Sequence, residues 1–535
     1  MRLALVCLAA AVAVIAAVWT WLGQPIPMPS APLKAGDKLW CVSYAPFRGS
    51  QSPHQEGIQI PAAQIEEDIA QLAKMSNCLR VYATDQGIEN VVPIAARYGM
   101  KVLQGAWVSN NPVKTQVQVE AALALAERYP DTVLAIVVGN EALLRGDISA
   151  GDLAALIRSV KARAKVPVTY ADVWEFWLRA PDVAAAVDFV MIHILPYWED
   201  FPIAAGQAAA HVNDIHKKMA GLYAPKNVYI GEMGWPSQGR MREGALPSPA
   251  NQARVIQEVL AYAARENYRV NVIEAYDAPW KRAQEGVVGG HWGLFDDSHR
   301  AMKFGWGEPV SNHPFWKMQA AGGIAYAILV FGIALWARRH SFLPAAPARL
   351  WLAVTANALV GGITIGWTVV NVPIESMGVG GWIRCLALAT AAIASPLVLS
   401  AAIMRGIPQP AIARIIGPKS GRAQHKTAIA VGCVAMLTIL VAVISALGLV
   451  FDPRYKDFPF APLTGAAMPF LVASLVTPRP SGGRAVTEFA TALVLAASVV
   501  WIVPNETVAN GQSLWMCAAL AAFAISLVRV RDAQS

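Results

Sequence analysis

The sequence predicts an α/β fold, a (β/α)₈ TIM barrel, joined to an all-α bundle of about eight transmembrane helices. Residues from about 30 to 315 alternate short β-branched runs with longer amphipathic runs, which is typical of βα units and a parallel sheet. Long apolar runs dominate the rest of the 535-residue chain. Only 15% of the residues are charged and 55% are hydrophobic, whereas a soluble protein has roughly 25% charged residues. We therefore expect three domains, at 1–29, 30–315 and 316–535.

The N-terminal apolar run predicts a membrane anchor. Leu3 to Leu22 carry no charge and follow Arg2, and the run is long enough to span a bilayer. A secretory signal has a shorter apolar core and a small-residue cleavage site. We favour an uncleaved signal anchor over a cleaved signal. In both cases the following segment leaves the cytoplasm.

Eight short runs between 30 and 315 are candidates for strands of a closed parallel barrel. In chain order they are Leu39–Tyr44, Cys78–Ala83, Lys101–Trp107, Val133–Val138, Val166–Ala171, Phe189–Ile194, Val228–Glu232 and Val270–Tyr276. Helix candidates between them include Pro61–Met75, Thr115–Arg128, Ala150–Ala164 and Pro249–Glu266. Eight strands in about 250 residues is the size of a TIM barrel. A doubly wound open sheet is the alternative, but no GxGxxG follows the first strand.

Seven further apolar runs predict the C-terminal spans. They lie near 318–337, 350–371, 382–404, 427–450, 461–477, 485–503 and 513–529. Arg338, Arg339, Arg405 and Arg414 lie in loops that alternate with loops almost free of Lys and Arg. The positive-inside rule then places both termini in the cytoplasm and the barrel outside. Glu488 lies just inside one span, where it is either a functional group or a helix-terminal residue.

The remaining composition limits the classes of function. The net charge of +8 reflects membrane topology rather than a nucleic-acid interface, because no basic stripe with interleaved aromatics occurs in the soluble region. Six cysteines are too few and too scattered for a disulfide framework. Cys41 and Cys78 fall on adjacent predicted strands, so a bridge is open, although two buried free thiols are favoured. No CxxC or Cys/His cluster suggests a metal site, and we expect no metal and no cofactor.

Two glutamates follow apolar strands directly and predict a catalytic pair. Glu141 and Glu232 lie 91 residues apart, about three βα units, which places them at the ends of the fourth and seventh strands. In this barrel, chemistry occurs at the C-terminal ends of strands. Glycoside hydrolysis needs two carboxyl groups beside one bond, and retaining enzymes hold them about 5 Å apart. We assign Glu141 as acid/base and Glu232 as nucleophile. Asn140 is placed to bond the sugar 2-hydroxyl, and Tyr197 to hydrogen-bond Glu232.

The strand-end motifs resemble glycoside hydrolase family 17. The resemblance rests on Asn140-Glu141, on Gly231-Glu232-Met233-Gly234-Trp235-Pro236, on Leu79-Arg80-Val81-Tyr82 and on Glu274 to Lys281. It covers about residues 38–300 and implies a (β/α)₈ barrel acting on β-glucans, with the same roles for the two glutamates. The residues expected to contact substrate are Arg80, Tyr82, Asn140, Tyr197, Trp198, Trp235, Asp277, Trp280 and Lys281. The sequence departs from plant members at His193, which we expect to be a packed core histidine.

The whole chain also resembles bacterial membrane proteins called β-(1,6)-glucan synthases. That resemblance implies a multi-pass protein of the bacterial inner membrane whose barrel faces the periplasm. The expected activity is retaining transglycosylation that remodels or branches β-1,3/β-1,6-glucan. The alternatives are a membrane-anchored β-1,3-glucan hydrolase and a non-catalytic glucan-binding or transport protein. The expected partners are β-glucan, the lipid bilayer and a glucan synthase or exporter, without nucleic acid.

Overall fold

The computed structural model describes residues 2–34, 36–341, 346–416 and 425–532. The chain divides into two compact units. The barrel unit comprises Ile26–Gly239 and Gly244–Val310. The helical unit comprises Met1–Pro25, Arg240–Glu243 and Ser311–Ser535.

The barrel unit contains a closed sheet of eight parallel strands in sequential order, with the last strand paired to the first. The strands are β1 (Cys41–Ser43), β2 (Cys78–Val81), β3 (Lys101–Ala106), β4 (Val133–Asn140), β5 (Val168–Val173), β6 (Val190–His193), β7 (Val228–Met233) and β8 (Val270–Val272). All eight predicted strands are present, with ends that differ by a few residues. The closed barrel confirms the predicted fold and excludes the doubly wound sheet.

Helices on the outside of the barrel connect successive strands, and one short helix follows β8. They are Ala62–Leu72, Val91–Arg97, Pro112–Arg128, Ala150–Lys161, Trp174–Arg179, Pro181–Ala186, Ala205–Tyr223, Pro249–Glu266 and the short Arg282–Glu285. Three of the longer helices begin at Asn111, Ser149 and Ser248, whose side chains accept hydrogen bonds from backbone N–H groups two or three residues on. These caps satisfy donors that a helix start leaves free, and they fix where each helix begins.

The first two strands are linked by a disulfide bond between Cys41 and Cys78. Two free thiols were the favoured expectation from sequence, and this expectation is wrong. Adjacent parallel strands bring the two side chains together, because Cys41 opens β1 and Cys78 opens β2. The spacing of cysteines along the chain carries no information on this contact.

Eight long apolar helices, besides the short Ile412–Ile416, occur in the part of the helical unit that the structure describes. They are Arg2–Leu22, Trp316–Arg339, Ala348–Glu375, Gly378–Arg405, Lys426–Phe451, Phe460–Val476, Val486–Glu506 and Gly511–Val528. Each predicted span coincides with one of them. Within the described residues, seven are long and apolar enough to cross a membrane, and Phe460–Val476 is shorter, with 17 residues. The unit therefore contains a region suited to span a membrane.

Small residues allow close packing between these helices. A Cβ on Gly323 would lie 2.1 Å from the backbone oxygen of Gly362, so the two helices that carry these residues meet backbone to backbone. In a lipid environment, close van der Waals packing of this kind replaces the hydrophobic effect as the source of helix association.

Candidate active site

The two glutamates predicted as a pair lie together at the C-terminal mouth of the barrel. Glu141 follows the last residue of β4 and Glu232 lies near the end of β7. A carboxylate oxygen of each lies within 4.8 Å of the other. Glu141 has a φ of 51°, a conformation rare for a residue with a side chain, and its N–H donates to the backbone oxygen of Ala171 at 2.8 Å. Unusual backbone of this kind clusters at active sites, because the surrounding fold must hold it.

Glu232 is buried among groups that favour its charged form. Its Oε1 accepts a hydrogen bond from Nη1 of Arg80 at 2.7 Å and one from the hydroxyl of Tyr82 at 2.9 Å. Although burial opposes ionisation, His193, Arg80 and Lys281 together lower the pKa of Glu232. A carboxylate that stays ionised is suited to act as a nucleophile.

Arg80 links three strands of the mouth. Besides Glu232, its Nη1 donates to the backbone oxygen of Gly231 at 2.9 Å, and its Nη2 donates to Oδ1 of Asn140. The guanidinium is 1% exposed, so these contacts are made away from water. Arg80 therefore holds the carboxylate of Glu232 in place and is itself held by the side chain of Asn140.

Glu141 has a different environment from Glu232. Its side chain is 24% exposed, and its Oε1 lies 2.9 Å from Nδ1 of His193. The same imidazole places Nε2 at 3.7 Å from Oε1 of Glu232. His193 is fully buried, as expected, but it contacts both carboxylates, and its sequence context of an apolar strand gave no sign of this.

Asp172 is a third buried carboxyl group near the pair, and the sequence analysis missed it. It lies near the end of β5. Its carboxylate accepts a hydrogen bond from the hydroxyl of Tyr170 and one of 2.8 Å from the backbone N–H of Val173. Burial raises the pKa of Asp172 to about 6, although the hydrogen bond from Tyr170 opposes this. An acidic residue directly after the predicted fifth strand, Val166–Ala171, was the available signal.

A second ionic cluster follows β8. Nζ of Lys281 lies 3.0 Å from both carboxylate oxygens of Glu274. Burial raises the pKa of Glu274 to about 7. Burial also raises the pKa of Glu285, and the negative charges of Glu141 and Glu232 add to this effect. Glu274 and Glu285 were not among the predicted site residues, and their charges face the same mouth.

Three residues predicted to bind substrate are buried in the structure, and their contact with substrate stays a prediction. Asp277 is 7% exposed and is held by Lys303, whose Nζ lies 2.6 Å away. Trp235 is fully buried, and its indole N–H donates to the backbone oxygen of Leu246 at 3.1 Å. Tyr197 is also fully buried. None of the three offers a free surface to a sugar. The predicted hydrogen bond from Tyr197 to Glu232 stays a prediction, whereas Tyr82 makes a bond of this type.

The tryptophans that follow strands fall into two groups. Six tryptophans follow predicted strands, and from the sequence we expect about half of them to contact sugar. Trp177, Trp235 and Trp292 are at most 3% exposed and pack inside the barrel unit. The half-buried ones are Trp174, Trp198 and Trp280. The partly exposed indoles have the apolar faces that stack on glucose, and they stay candidates for that role.

The carboxylate pair and His193 also come close enough to suggest a metal site, and the surrounding charges argue against one. One ligand atom from each of Glu141, His193 and Glu232 lies within 4.8 Å of the others. However, Glu232 is already paired with Arg80 at 2.7 Å, and Lys281 lies near enough to lower its pKa. A bound cation would be repelled by both side chains. The donor set therefore fits a catalytic pair better than a metal ion.

Comparison with known proteins identifies the class of enzyme. The sequence model of the BtgE/BtgC glycoside hydrolase domain matches residues 41–293. A glucan 1,3-beta-glucosidase of Schizosaccharomyces pombe is 28% identical over 260 residues, which are 44% of this chain and 78% of the relative. A glucan 1,3-beta-glucosidase of Saccharomyces cerevisiae is 25% identical over 268 residues, covering 46% and 85%.

Among solved structures, an active-site mutant of the Rhizomucor miehei beta-1,3-glucanosyltransferase in complex with laminaritriose has a TM-score of 0.45 and 23% identity. The similarity covers 50% of this chain and 97% of that one. The fold and the site thus define a barrel glycosidase. More particularly, residues 41–293 form a domain similar to glycoside hydrolase family 17, and the chain is an enzyme.

Proposed function

We propose that this chain is a membrane-anchored, retaining β-glucan transglycosylase. Glu232 is the nucleophile that forms a covalent glycosyl-enzyme, and Glu141 is the acid/base. The observation that carries this proposal is the approach of the two carboxylates to within 4.8 Å, since retaining enzymes hold them about 5 Å apart. Inverting enzymes need about 6.5–9.5 Å to admit a water molecule between the carboxyl group and the sugar.

The charge environments support the two roles. Arg80 and Tyr82 bond Glu232 and favour its ionised form, which a nucleophile requires. Glu141 is more exposed and faces an imidazole, which can exchange a proton with it. Two neighbouring carboxyl groups with different surroundings are the usual basis for separate acid and nucleophile roles.

The substrate class follows from the relatives and the mouth of the barrel. The relatives of known name are glucan 1,3-beta-glucosidases, so we propose a β-1,3-glucan donor. A sugar hydroxyl opens the glycosyl-enzyme in transfer, and water opens it in hydrolysis. Transfer is favoured when an acceptor site holds the sugar in position. We propose that Trp174, Trp198 and Trp280 provide such a site, and that β-1,6 branching is one outcome. The names of the relatives favour hydrolysis as the second candidate.

Product analysis tests the proposal. The purified full chain in detergent is given β-1,3-gluco-oligosaccharides at high concentration, and products are resolved by chromatography and linkage analysis. Longer or branched products are expected, and they must vanish in Glu232→Ala. Exclusively shorter products at every concentration would favour the hydrolase. Products that persist in Glu232→Ala would contradict the assigned nucleophile.

We further propose that the barrel lies outside the cytoplasm, in the periplasm of a bacterium, with both chain termini inside. The disulfide between Cys41 and Cys78 supports this, because such bonds persist in oxidising compartments. The alternation of basic loops supports it as well. A C-terminal fusion to a fluorescent protein should fluoresce, and a fusion to alkaline phosphatase should be inactive. The reverse pattern would refute the topology.

A further inference from the structure

The imidazole of His193 lies between the two catalytic carboxylates. Its Nδ1 is 2.9 Å from Oε1 of Glu141, and its Nε2 is 3.7 Å from Oε1 of Glu232. The ring is fully buried. The ring packs against Gly231 of the neighbouring strand, where a Cβ would lie 3.1 Å from its Cδ2. A fixed ring with one nitrogen toward each carboxylate can influence both.

The two nitrogens cannot have the same role. A neutral imidazole has one N–H donor and one acceptor nitrogen. Glu141 must carry a proton before the first step, so its hydroxyl needs an acceptor, and Nδ1 is at hydrogen-bond distance. The tautomer with Nδ1 as acceptor carries the hydrogen on Nε2. Nε2 is buried without a hydrogen-bond partner and faces the carboxylate of Glu232. This tautomer therefore suits both residues at once.

Resting on the proposed function, we propose that His193 is a positioning residue that shares the catalytic proton with Glu141. In the resting enzyme one proton is held between Glu141 and Nδ1, and the Nε2–H points toward the ionised Glu232. Other titratable or charged groups face this arrangement, and they include Asp172 and Tyr170 on β5, Arg80 and Tyr82 beside Glu232, and Glu274, Lys281 and Glu285 after β8.

Both steps of the reaction balance with this proton. In the first, the bond between C1 and the glycosidic oxygen breaks, that oxygen takes the shared proton, and a Glu232 oxygen bonds to C1. In the second, the acceptor hydroxyl gives its proton to the pair of Glu141 and His193 as its oxygen bonds to C1. The ester bond to Glu232 then breaks and returns the carboxylate.

Two substitutions remove the imidazole and keep an amide near one of its two nitrogen positions. An asparagine amide reaches the position of Nδ1 and a glutamine amide that of Nε2, and neither carries an exchangeable catalytic proton. With the full chain in detergent, His193→Asn should lower kcat/KM on β-1,3-gluco-oligosaccharides by about 10²-fold. It should also move the alkaline limb of the pH profile by about one unit to lower pH, because Glu141 loses its proton more easily. His193→Gln should give the same shift, and it serves if the asparagine variant does not fold.

The leaving group of the substrate distinguishes this role from a structural one. A dinitrophenyl β-glucoside needs no protonation to leave, so the first turnover of dinitrophenolate release should keep most of its wild-type rate in His193→Asn and in Glu141→Gln, whereas later turnovers slow in both because the second step still needs the base. Equal losses on both substrates with an unchanged pH profile would overturn the inference. If Glu141→Gln and Glu232→Gln abolish turnover of oligosaccharides while His193→Asn and His193→Gln behave as wild type, only the inference fails. If the two glutamate variants stay active, the proposed function itself fails.

Discussion

Both the barrel and the helical unit bury ionisable side chains, and the surroundings of those side chains differ. Four ionisable side chains lie around one cleft at the barrel mouth, and each is at most 5% exposed. They are Arg80, Asp172, Glu232 and Glu274. In the helical unit Glu488 is 1% exposed, and its Oε1 accepts the backbone N–H of Ile412 at 2.7 Å.

The difference distinguishes buried acids that take part in catalysis from a buried acid that stabilises the fold. At the mouth, buried charges face other charges, so each one changes the protonation of its neighbours. Glu488 instead satisfies a backbone donor, as a hydrogen-bonding side chain does at a helix start. A buried acid is therefore a sign of catalysis only where other titratable groups converge on the same place.

The largest effect should come from the nucleophile. Glu232→Ala removes the group that bonds to the sugar, so kcat should fall by about 10⁴-fold or more, since residues that act as a unit show losses of this size. Product release by the purified chain gives the rate. Glu120→Gln, an exposed acid of the same unit, is the matched control and should keep full activity. Near-normal turnover by Glu232→Ala would contradict the assignment of Glu232 as the nucleophile, on which the comparison mainly depends.

The next effect should come from the cation that holds Glu232. Removing Arg80 takes away a positive charge that lowers the pKa of Glu232, so this pKa should rise in Arg80→Ala. Because the nucleophile works only when ionised, the acid limb of the kcat/KM profile should move to higher pH. We expect a loss of about 10²-fold at neutral pH.

Arg80→Lys is the control for charge alone, and it should shift the acid limb less than Arg80→Ala. An acid limb that stays in place in Arg80→Ala would show that this ion pair does not set the ionisation of Glu232.

A smaller effect, on stability rather than chemistry, should come from the disulfide. Cys41→Ala with Cys78→Ala should cost about 2–4 kcal/mol in the free energy of unfolding, because the bridge constrains the unfolded chain. The midpoint of thermal inactivation should fall while kcat at low temperature stays unchanged. The control is Cys517→Ala, which changes a buried free cysteine of the helical unit. An equal loss of stability in this control would show that the disulfide has no specific stabilising effect.

The smallest effect should come from Glu488→Gln. The glutamine oxygen can still accept the N–H of Ile412, so neither kcat nor its pH dependence should change measurably. Glu488→Leu removes the acceptor and should lower stability by about 1–3 kcal/mol. A change in the pH profile of Glu488→Gln would give this buried acid a chemical role and contradict the distinction between the two regions.

The fold could be predicted from the sequence because the hydrophobic periodicity and the positions of the strand ends indicate it. All eight strands were predicted from apolar β-branched runs, and Glu141 and Glu232 were placed at two of their ends. Sequence spacing specifies which strand ends meet at a barrel mouth. That is enough to pair two glutamates that lie 91 residues apart.

The orientation of side chains did not follow from the sequence. A strand end faces the mouth, but the pattern does not show which hydroxyls reach Glu232, and the hydrogen bond from Tyr82 to Glu232 was not predicted. Trp235 was expected to contact sugar, yet the loop around Leu246 buries it. His193 was taken as a core residue because burial and a catalytic position look alike in an apolar run.

Trapping the covalent intermediate tests the account most directly. A 2-deoxy-2-fluoro-β-laminaribiosyl fluoride should form the glycosyl-enzyme and hydrolyse slowly, because the fluorine destabilises the charge that develops at C1 in both steps while fluoride remains a good leaving group. Mass spectrometry of the digested chain should find the disaccharide mass on the peptide that contains Glu232, and no such mass in Glu232→Ala. An adduct on another residue, or active enzyme that never becomes labelled, would contradict the double-displacement mechanism.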